Sequence, residues 1–549
     1  MAAAWPLRAR RGSARCAGRR LAGLLLLAAA LPALAEEAKP AGTAGFDAAF
    51  DAAMARYDLP GLAVGVVVDG QVAYQRTAGE RVADGGQAID ADTLFKIASN
   101  SKAMTAAVLA RLVDQGRLAW DDPVVKHLPG FRMHDAWVTQ HMQVRDLLVH
   151  NSGLRLGAGD LMLWPEPNHF SRADILAGLA HLQPSYGFRA GYAYDNLLYV
   201  VAGEVAAAAG GKPYDQLVRE QVFAPLGMGR CQVGGWQRDA VGNLAQPHMR
   251  VEGRNLPVRL DEAHVPDTPS MAAGGIRCSL RDMLAWMQHA WLAPDPAAPW
   301  LSPAQREAVW TVATPMPISA RMRRWDGTRF HGYGYGWRLS DVDGQWKVAH
   351  TGTLAGMYSS LVLLPDRRSG FVILINGEAG DAREALAQAL LKQFTRPDAP
   401  QLDVAHYAAE LDRERAARPA ARRAPDTRAR QPARAAALAP WLGQWRDPWF
   451  GQVHLCAEGD GVEFAAAKSP RLHGRVMAVG ERLLVEWADP SVDAEPWLLF
   501  ATEGGQRRLR LQHVDPAADF SYDYPDLDFV PSGACPAAAP SPTERTPSP

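Results

Sequence analysis

The chain has 549 residues, of which 48% are hydrophobic and 21% are charged, and its formal net charge is −1 at pH 7. This composition is typical of folded globular proteins and excludes a largely disordered chain. The near-zero charge gives no support to a partner that is a nucleic acid or an anionic membrane. The length predicts at least two domains.

The first 35 residues have the organisation of a bacterial-type export signal. Six arginines precede an apolar stretch from Leu21 to Leu31, and Ala33-Leu34-Ala35 supplies a small-residue cleavage site. The apolar stretch is shorter than the ~20 residues of a spanning helix, which favours cleavage over a retained anchor. We therefore expect residues 1–35 to be a signal peptide. The mature protein is then periplasmic or secreted, with no stable membrane insertion.

The elements of the first predicted domain, residues 36–397, can be taken in chain order. Residues 47–57 predict an amphipathic helix, and residues 62–68 and 71–75 predict a β-hairpin around Asp69-Gly70. Helical patterns dominate from Lys102 to Gly210. A strand-rich block and a closing helix follow, at residues 334–337, 346–350, 359–364, 371–376 and 382–394. This order predicts an α+β fold, in which helices flank an antiparallel sheet and a helical lobe lies beside it.

The composition changes after Pro397. Residues 398–435 predict a helix and then a linker rich in Arg, Ala and Pro, for which a solvated spacer is favoured over a contact with anionic surfaces. Short strand-like runs separated by glycine turns predict a small all-β domain over residues 436–531, a sandwich or a barrel. The Pro/Ser-rich residues 532–549 predict a disordered tail.

Four cysteines remain once the leader is removed. An even number in an exported chain permits two disulfides, for which three pairings exist. We favour Cys231–Cys278 and Cys456–Cys535 because each pair then stays within one part of the chain. Free buried thiols are an equal alternative, and thiol titration with and without reductant distinguishes the two.

Three short motifs contain residues suited to nucleophilic chemistry. Ser99 and Lys102 are three positions apart at the start of a predicted helix, so the hydroxyl and the amine share a face. Burial of the lysine would keep its amine neutral and able to take the serine proton. Tyr194 and Asn196 offer a phenol that relays a proton and an amide that binds either substrate or Lys102. The third motif follows a predicted strand and comprises His350, Thr351, Gly352 and Thr353.

Each motif alone has an ordinary structural explanation. A serine with a lysine three positions later is found in many exposed helices, a buried tyrosine is usually a core residue, and a glycine after a strand usually marks a turn. Under the functional interpretation, Gly352 lets substrate approach the backbone closely. His150 is expected to be structural rather than a metal ligand.

The order and flanks of the motifs carry a family resemblance. The segment DTLFKIASNSKAMTAAVLARLVDQGRLAWDDPVVKHLPGF, residues 92–131, resembles the nucleophile region of the serine β-lactamase and penicillin-binding protein superfamily. The resemblance is closest to the CubicO-type branch of esterases and D-aminopeptidase-like hydrolases. Further similar segments follow in the same order, at 146–154 (DLLVHNSGL), 194–196, 272–282 (AAGGIRCSLRD) and 332–337. The C-terminal β region resembles the lipocalin-like domain of some such hydrolases, and capping the active-site mouth is one role it would fit.

The resemblance implies a β-lactamase/transpeptidase-like fold and two-step acyl transfer, with neither a cofactor nor a metal. Ser99 matches the nucleophile, Lys102 its proton acceptor, and Tyr194 a second base or leaving-group acid. Asn196 matches a ligand of the substrate amide. The N–H groups of Ser99 and Thr353 match the oxyanion hole, and residues 350–353 match the K-T-G element.

His350 departs from the family pattern, because it stands in the place of the lysine of K-T-G. Histidine is mostly neutral near pH 7, so we expect weak recognition of a substrate carboxylate. This favours a small ester, amide or short peptide as substrate. A class C-like β-lactamase or penicillin-binding protein and a non-catalytic sensor or binding module are the alternatives. The sequence leaves the D/L preference and the oligomeric state open.

Overall fold

The computed structural model describes residues 42–419 and 423–536, which belong to one compact unit. The predicted signal peptide and the part of the predicted tail after residue 536 lie outside these residues. Among the described residues, no helix combines the length and the apolar character needed to cross a membrane.

Fourteen α-helices lie in the described part of the chain. They are α1 (Ala44–Tyr57), α2 (Ser101–Asp114), α3 (Val124–His127), α4 (Ala136–His141), α5 (Arg172–Gly178), α6 (Leu197–Gly210), α7 (Tyr214–Val218), α8 (Arg238–Val241), α9 (Leu280–Ala285), α10 (Pro303–Val309), α11 (Ala320–Asp326), α12 (Gly380–Thr395), α13 (Val404–Ala416) and α14 (Ala435–Leu438). Two short 3₁₀ turns, Ala98–Asn100 and Asp160–Met162, contribute to the site described below.

The same residues contain twenty-three strands. They are β1 (Gly61–Val68), β2 (Gln71–Gly79), β3 (Phe95–Lys96), β4 (Trp236–Gln237), β5 (His248–Val251), β6 (Arg254–Pro257), β7 (His264–Val265), β8 (Arg277–Cys278), β9 (Thr314–Pro315), β10 (His331–Tyr333), β11 (Arg338–Val342), β12 (Gln345–Leu354), β13 (Met357–Leu364), β14 (Ser369–Ile375), β15 (Gln431–Pro432), β16 (Gly443–Asp447), β17 (Gly451–Glu458), β18 (Gly461–Ala466), β19 (His473–Val479), β20 (Arg482–Trp487), β21 (Pro496–Glu503), β22 (Gln506–His513) and β23 (Asp528–Gly533).

The centre of the fold is an eight-stranded antiparallel sheet with the order β2-β1-β14-β13-β12-β11-β10-β9. Successive side chains of a strand point to opposite faces. In β1, Leu62 and Val64 pack with α1, α12 and α13 on one face. Ala63 and Val67 belong to the larger core on the other face, which contains α2, α6 and the helical lobe. The predicted α+β arrangement of a helix-flanked sheet and a helical lobe is confirmed.

The predicted hairpin around Asp69-Gly70 is also confirmed, because β1 pairs with β2 and both turn residues have positive φ, 50° and 81°. The strand predicted at residues 334–337 is wrong, since these residues form the turn between β10 and β11. Gly336 allows this turn to form against α2. It has φ 79°, and a Cβ there would lie 2.7 Å from the carbonyl oxygen of Lys102. The turn is therefore packed directly on α2.

The C-terminal strands close into an eight-stranded antiparallel barrel, in which β16 to β23 form a ring completed by the β19–β20 pairing. The prediction of a disordered tail is wrong for its first residues. β23 continues to Gly533 and pairs with β16, and Cys535 is joined to Cys456. Strand pairing and the disulfide hold these residues in place, although their composition is typical of disorder. The arginine-rich segment also begins as helix, since α13 extends to Ala416.

The barrel packs against the helical lobe and shares its hydrophobic core. The Phe450 ring lies 5.7 Å from the Phe170 ring, and Lys468 Nζ is 2.6 Å from a carboxylate oxygen of Asp174. A shared core opposes independent motion of the two parts. The barrel therefore has a fixed position beside the helical lobe, which also carries several residues of the site.

Candidate active site

Ser99 lies in a sharp turn between β3 and α2. Ala98, just before it, has φ 49°, a left-handed conformation that is uncommon for a residue with a side chain. Ser99 itself is partly exposed. β3 pairs with β8, where Cys278 forms a disulfide with Cys231. The strand that leads into the serine turn is thus covalently tied to a neighbouring segment.

Lys102 is fully buried, and its Nζ has three oxygen neighbours. These are Ser99 Oγ at 3.2 Å, Asn196 Oδ1 at 2.7 Å and the Ala273 carbonyl oxygen at 2.8 Å. The last two oxygens can only accept hydrogen bonds, so they use both hydrogens of a neutral amine. The nitrogen lone pair is then left for the serine, whose hydroxyl is the one neighbour that can also donate.

Electrostatics favour this neutral form. Burial lowers the pKa of Lys102 to about 7, with the carboxyl of Asp160 opposing the change and the guanidinium of Arg338 adding to it. An ammonium with this pKa loses its proton near neutral pH. Lys102 therefore has both the contact with Ser99 and the protonation state that a general base requires.

Tyr194 completes the group predicted from the first two motifs. Its ring lies 4.8 Å from Lys102 Nζ, and its hydroxyl interacts with the side chain of Ser99. Burial raises the pKa of Tyr194, although Arg338 and Ser99 oppose this rise. Burial thus outweighs the nearby guanidinium, which alone would favour the phenolate. Tyr194 is a neutral phenol near pH 7, suited to donating and relaying a proton.

Asn196 lies at the start of α6 and connects Lys102 to a carboxyl group that the sequence analysis missed. Its Oδ1 accepts from Lys102, and its Nδ2 donates to Asp160 Oδ2 at 2.8 Å. Asp160 is fully buried, which raises its pKa well above the usual carboxyl value. The described contacts of Asn196 position the base, which is one of the two roles considered for this amide.

The segment that carries Tyr194 and Asn196 is held by His150. The backbone N–H of Asp195 donates to His150 Nδ1 at 3.0 Å, and both side chains are buried. Burial raises the pKa of Asp195 to about 6, while hydrogen bonds from α6 backbone groups oppose it. These contacts give His150 a positioning role. Within residues 42–419 and 423–536 no group of His, Cys, Asp and Glu side chains could hold a metal ion.

His350 does not face the open part of the site, since it is fully buried. Its Nδ1 donates to the Thr351 carbonyl oxygen at 2.8 Å, so Nε2 is left to accept from the Tyr333 hydroxyl at 2.8 Å. Burial and the nearby Arg338 hold its pKa well below the usual value. His350 is therefore a neutral residue that anchors the strand. The assignment of residues 350–353 to a substrate-binding element, which the resemblance implied, stays a prediction.

A cation is nevertheless present at this strand, supplied by Arg338 of β11. Its guanidinium donates to Thr351 Oγ1 at 2.9 Å and lies 5.9 Å from the Tyr194 ring. The sequence contained a signal for this placement. A hairpin through Asp343-Gly344 pairs Arg338 with Ala349, next to the His-Thr-Gly motif. The neutral histidine thus does not leave the site without a positive charge.

The packing of β12 requires a glycine at position 352. A Cβ at this position would lie 2.2 Å from the Ile97 carbonyl oxygen and 3.0 Å from the Ala98 Cβ. Because Gly352 has no Cβ, β12 can lie against the turn that carries Ser99. Thr353 is exposed, and Arg383 of α12 donates to its Oγ1 at 2.8 Å. The strand end and the nucleophile turn are in direct contact.

The folded chain thus brings Ser99, Lys102, Tyr194 and Asn196 into one group, with residues 351–353 beside it. Asp160 had no signal in the sequence, because its contact with Asn196 depends on how the helical lobe folds. The arrangement can activate a serine hydroxyl and supply a proton to a departing group.

Comparisons with known proteins show which proteins the chain is similar to. Residues 46–395 match the family model described as Beta-lactamase. The chain is 26% identical to Penicillin-binding protein 4 of Amycolatopsis lactamdurans over 377 residues, which cover 66% of this chain and 96% of that protein. It is 32% identical to Esterase EstB of Burkholderia gladioli over 238 residues, which cover 41% of this chain and 58% of the esterase.

A solved structure is also similar, that of the octameric penicillin-binding protein homologue from Pyrococcus abyssi. The TM-score is 0.54 at 19% identity, and the alignment covers 84% of this chain and 97% of that one. At this identity the likeness shows a shared fold.

Proposed function

Because the chain belongs to the Beta-lactamase family, we propose that it is a serine hydrolase that cleaves an ester or amide bond through an acyl-enzyme on Ser99. One observation carries the proposal. The buried Lys102 amine contacts Ser99 Oγ, and its two other neighbours are oxygens that can only accept hydrogen bonds. The same observation argues against a non-catalytic binding module, which would have no need of a buried amine with a pKa of about 7.

In the proposed first step, neutral Lys102 takes the proton of Ser99 and Oγ forms a bond to the substrate carbonyl carbon. The negative charge moves to the carbonyl oxygen. As the tetrahedral intermediate collapses, the bond to the leaving group breaks and Tyr194 supplies the proton that the leaving group takes up. The proton held by Lys102 then passes to the Tyr194 phenolate, whose ring lies 4.8 Å from Lys102 Nζ. Water attacks the acyl-enzyme in a second step and releases Ser99.

We propose that the backbone N–H groups of Ser99 and Thr353 bind the oxyanion. Two features support this role. Ser99 stands at the start of α2, where the first N–H groups have no acceptor within the helix. The close packing of Gly352 against Ile97 and Ala98 brings the Thr353 end of β12 to the same place. Loss of one such donor usually costs about 3–4 kcal/mol of transition-state stabilisation.

Labelling of intact protein with an acylating ester tests the proposal. The unmodified protein should gain the mass of one acyl group, located by peptide mapping at Ser99. Ser99→Ala should gain none. Ser101→Ala is the matched control, because Ser101 is the next serine of the same segment and its hydroxyl accepts from the Ile276 N–H instead of contacting Lys102. An acyl group that persists on another residue of Ser99→Ala would contradict the assignment.

A second candidate is favoured by Arg338. A guanidinium beside Thr351 suits a substrate with a carboxylate near the scissile bond. Such substrates include peptides with a free C-terminus and β-lactams, so activity of the penicillin-binding protein or class C type is the second proposal. A screen of D- and L-aminoacyl amides, short esters, free-acid peptides and β-lactams, with Ser99→Ala as blank, separates the two. At a pH above the titration of Lys102, Arg338→Gln should lower kcat/KM much more for the anionic substrates than for the neutral ones under this proposal.

We propose that the protein acts outside the cytoplasm after cleavage behind Ala35. The pattern of residues 1–35 and the Cys231–Cys278 and Cys456–Cys535 disulfides support this, since disulfides persist in oxidising compartments. N-terminal sequencing of the protein from the periplasm or medium should begin at Glu36. Recovery of the full-length chain from the cytoplasm alone would contradict export.

A further inference from the structure

The segment between β22 and β23 of the barrel reaches into the active site of the hydrolase domain. Its Phe520 ring lies 5.8 Å from the Tyr194 ring at an angle of 74°, an edge-to-face contact. Phe520 is only partly buried. An aromatic side chain of the barrel therefore borders the residue that we assign as the leaving-group acid.

This segment is anchored to the hydrolase domain. Asp523 is buried, and its Oδ2 accepts from the Gly159 N–H at 2.6 Å. Arg155 pairs with Asp523 and also with Asp526, the latter at 3.0 Å. A carboxylate that is buried and held by charge-assisted bonds defines a position closely. The Phe520 contact thus belongs to a fixed arrangement and not to a loosely placed loop.

The hydrolase domain is shaped to receive this phenylalanine. Gly157 has φ 73°, and a Cβ there would lie 2.6 Å from the Phe520 carbonyl oxygen and 2.7 Å from its ring. The Gly157 N–H donates to the carbonyl oxygen of Tyr194 at 2.9 Å. One glycine therefore accommodates Phe520 and holds the backbone of Tyr194.

The next residue, Ser521, extends the contact to the groups behind the base. Its side chain interacts with the Asp160 carboxyl and lowers the pKa of that group, against the larger effect of burial. Asp160 in turn binds Asn196, which binds Lys102. The barrel segment therefore touches the site at two successive residues, one on the phenol and one on the carboxyl.

We propose that Phe520 is a specificity-determining residue that forms the wall of the leaving-group side and restricts the bulk of the leaving group. The inference rests on the proposed function, in which the carbonyl–leaving-group bond breaks while Tyr194 gives its proton to the departing atom. A leaving group must then lie beside the Tyr194 hydroxyl. Phe520 packs edge-to-face on the ring that carries this hydroxyl, so a bulky leaving group meets the Phe520 ring whereas a small one does not.

The test uses the full-length protein and aliphatic esters that share one acyl group and differ only in the alcohol, ethyl against cyclohexyl. All these esters give the same acyl-enzyme, so changes in the ratio of their kcat/KM values report on the leaving-group side alone. Phe520→Ala should raise the cyclohexyl-to-ethyl ratio at least about tenfold, the usual scale of a steric misfit in an apolar pocket. Phe520→Trp should lower the ratio. Phe330→Ala, at an exposed phenylalanine of the hydrolase domain, should leave it unchanged.

Opposite changes in the two Phe520 variants would not arise from a merely structural role. An equal loss for both esters, or an unchanged ratio, in a Phe520→Ala protein that is still acylated at Ser99 would overturn this proposal and leave the proposed function standing. Absence of any acyl group on Ser99 of the unmodified protein, with every ester, would overturn the proposed function and this inference with it.

Discussion

The central sheet has a buried lysine on each of its two faces, and the two lysines have opposite surroundings. Lys392 of α12 contacts two carboxylates, Asp343 Oδ2 at 2.8 Å and Asp326 Oδ1 at 3.3 Å, and the Trp325 carbonyl oxygen at 2.6 Å. Lys102 of α2 contacts two amide oxygens and a hydroxyl. Lys392 is 2% exposed and Lys102 is 0% exposed, so burial does not distinguish them.

The difference lies in the charge of the direct partners. A carboxylate in contact stabilises an ammonium and offsets the cost of its burial, whereas neutral oxygens leave most of that cost in place. The face with the ion pairs is therefore structural, and the face with the neutral partners can hold a base. The comparison teaches that a buried lysine becomes a candidate base when its direct neighbours carry no negative charge.

The largest expected effect is the difference in activity between the two variants in which one lysine is replaced by methionine. Lys102→Met should lower kcat/KM by at least about 10⁴-fold, the scale for loss of a group that acts as a unit with the nucleophile. Lys392→Met should retain activity, because its contacts are on the opposite face. Steady-state kinetics with one ester measures both. Comparable activity in the unmodified protein and Lys102→Met would break the comparison.

The same two variants should differ in stability in the opposite sense, with the larger loss in Lys392→Met. Lys392→Met removes the cation from the partly buried Asp343 and one of the two cations from the buried Asp326, which keeps Lys347 at 3.1 Å. We therefore expect a loss of about 3–4 kcal/mol in the free energy of unfolding. Lys102→Met leaves amide oxygens without a donor, but it also removes the cost of burying an ionisable amine, so we expect a smaller change than in Lys392→Met. Denaturant unfolding measures the two values. An equal loss in both variants would show that the partners' charge does not matter.

The pH dependence of kcat/KM should have an acidic limb with a midpoint set by Lys102. Its pKa is lowered to about 7, so the active neutral amine is lost as the pH falls through that value, and the rate falls about tenfold per pH unit below it. Arg338→Gln removes a positive charge that disfavours the ammonium, which should move the midpoint to higher pH. A midpoint that stays in place, or moves to lower pH, would contradict the assigned electrostatics.

The last prediction concerns the pH dependence of stability. The pKa of Lys102 falls from 10.5 to about 7 on folding, so between these values the unfolded chain binds more protons than the folded one. The unfolding free energy of the unmodified protein, relative to Lys102→Met, should therefore rise with pH between about 7 and 10.5. The slope should approach about 1.4 kcal/mol per pH unit. Parallel curves for the two proteins would indicate that Lys102 keeps its ordinary pKa after folding.

Much of the site could be predicted because its parts are local. Ser99 and Lys102 share one helix start, and Tyr194 and Asn196 share one turn, so each pair lies in a short motif, and the family resemblance assigned their roles. His350 was recognised as neutral, but its burial behind the strand and its bond to Tyr333 depend on long-range packing. The sequence analysis predicted that Gly352 allows a close approach to the backbone. In the structure, the segment that approaches it is the turn that carries Ser99.

The sequence by itself determined the hairpin at Asp69-Gly70, the helix-flanked sheet and the all-β character of the C-terminal region. These follow from alternation, periodicity and turn chemistry within short stretches of chain. Only the tertiary structure decided that Arg338 supplies the cation, that Asp160 stands behind Asn196, and that Phe520 of the barrel borders Tyr194. The physical reason is that these contacts join distant segments of the chain. The burial that shifts the pKa values of Lys102 and Asp160 exists only once those segments have packed together.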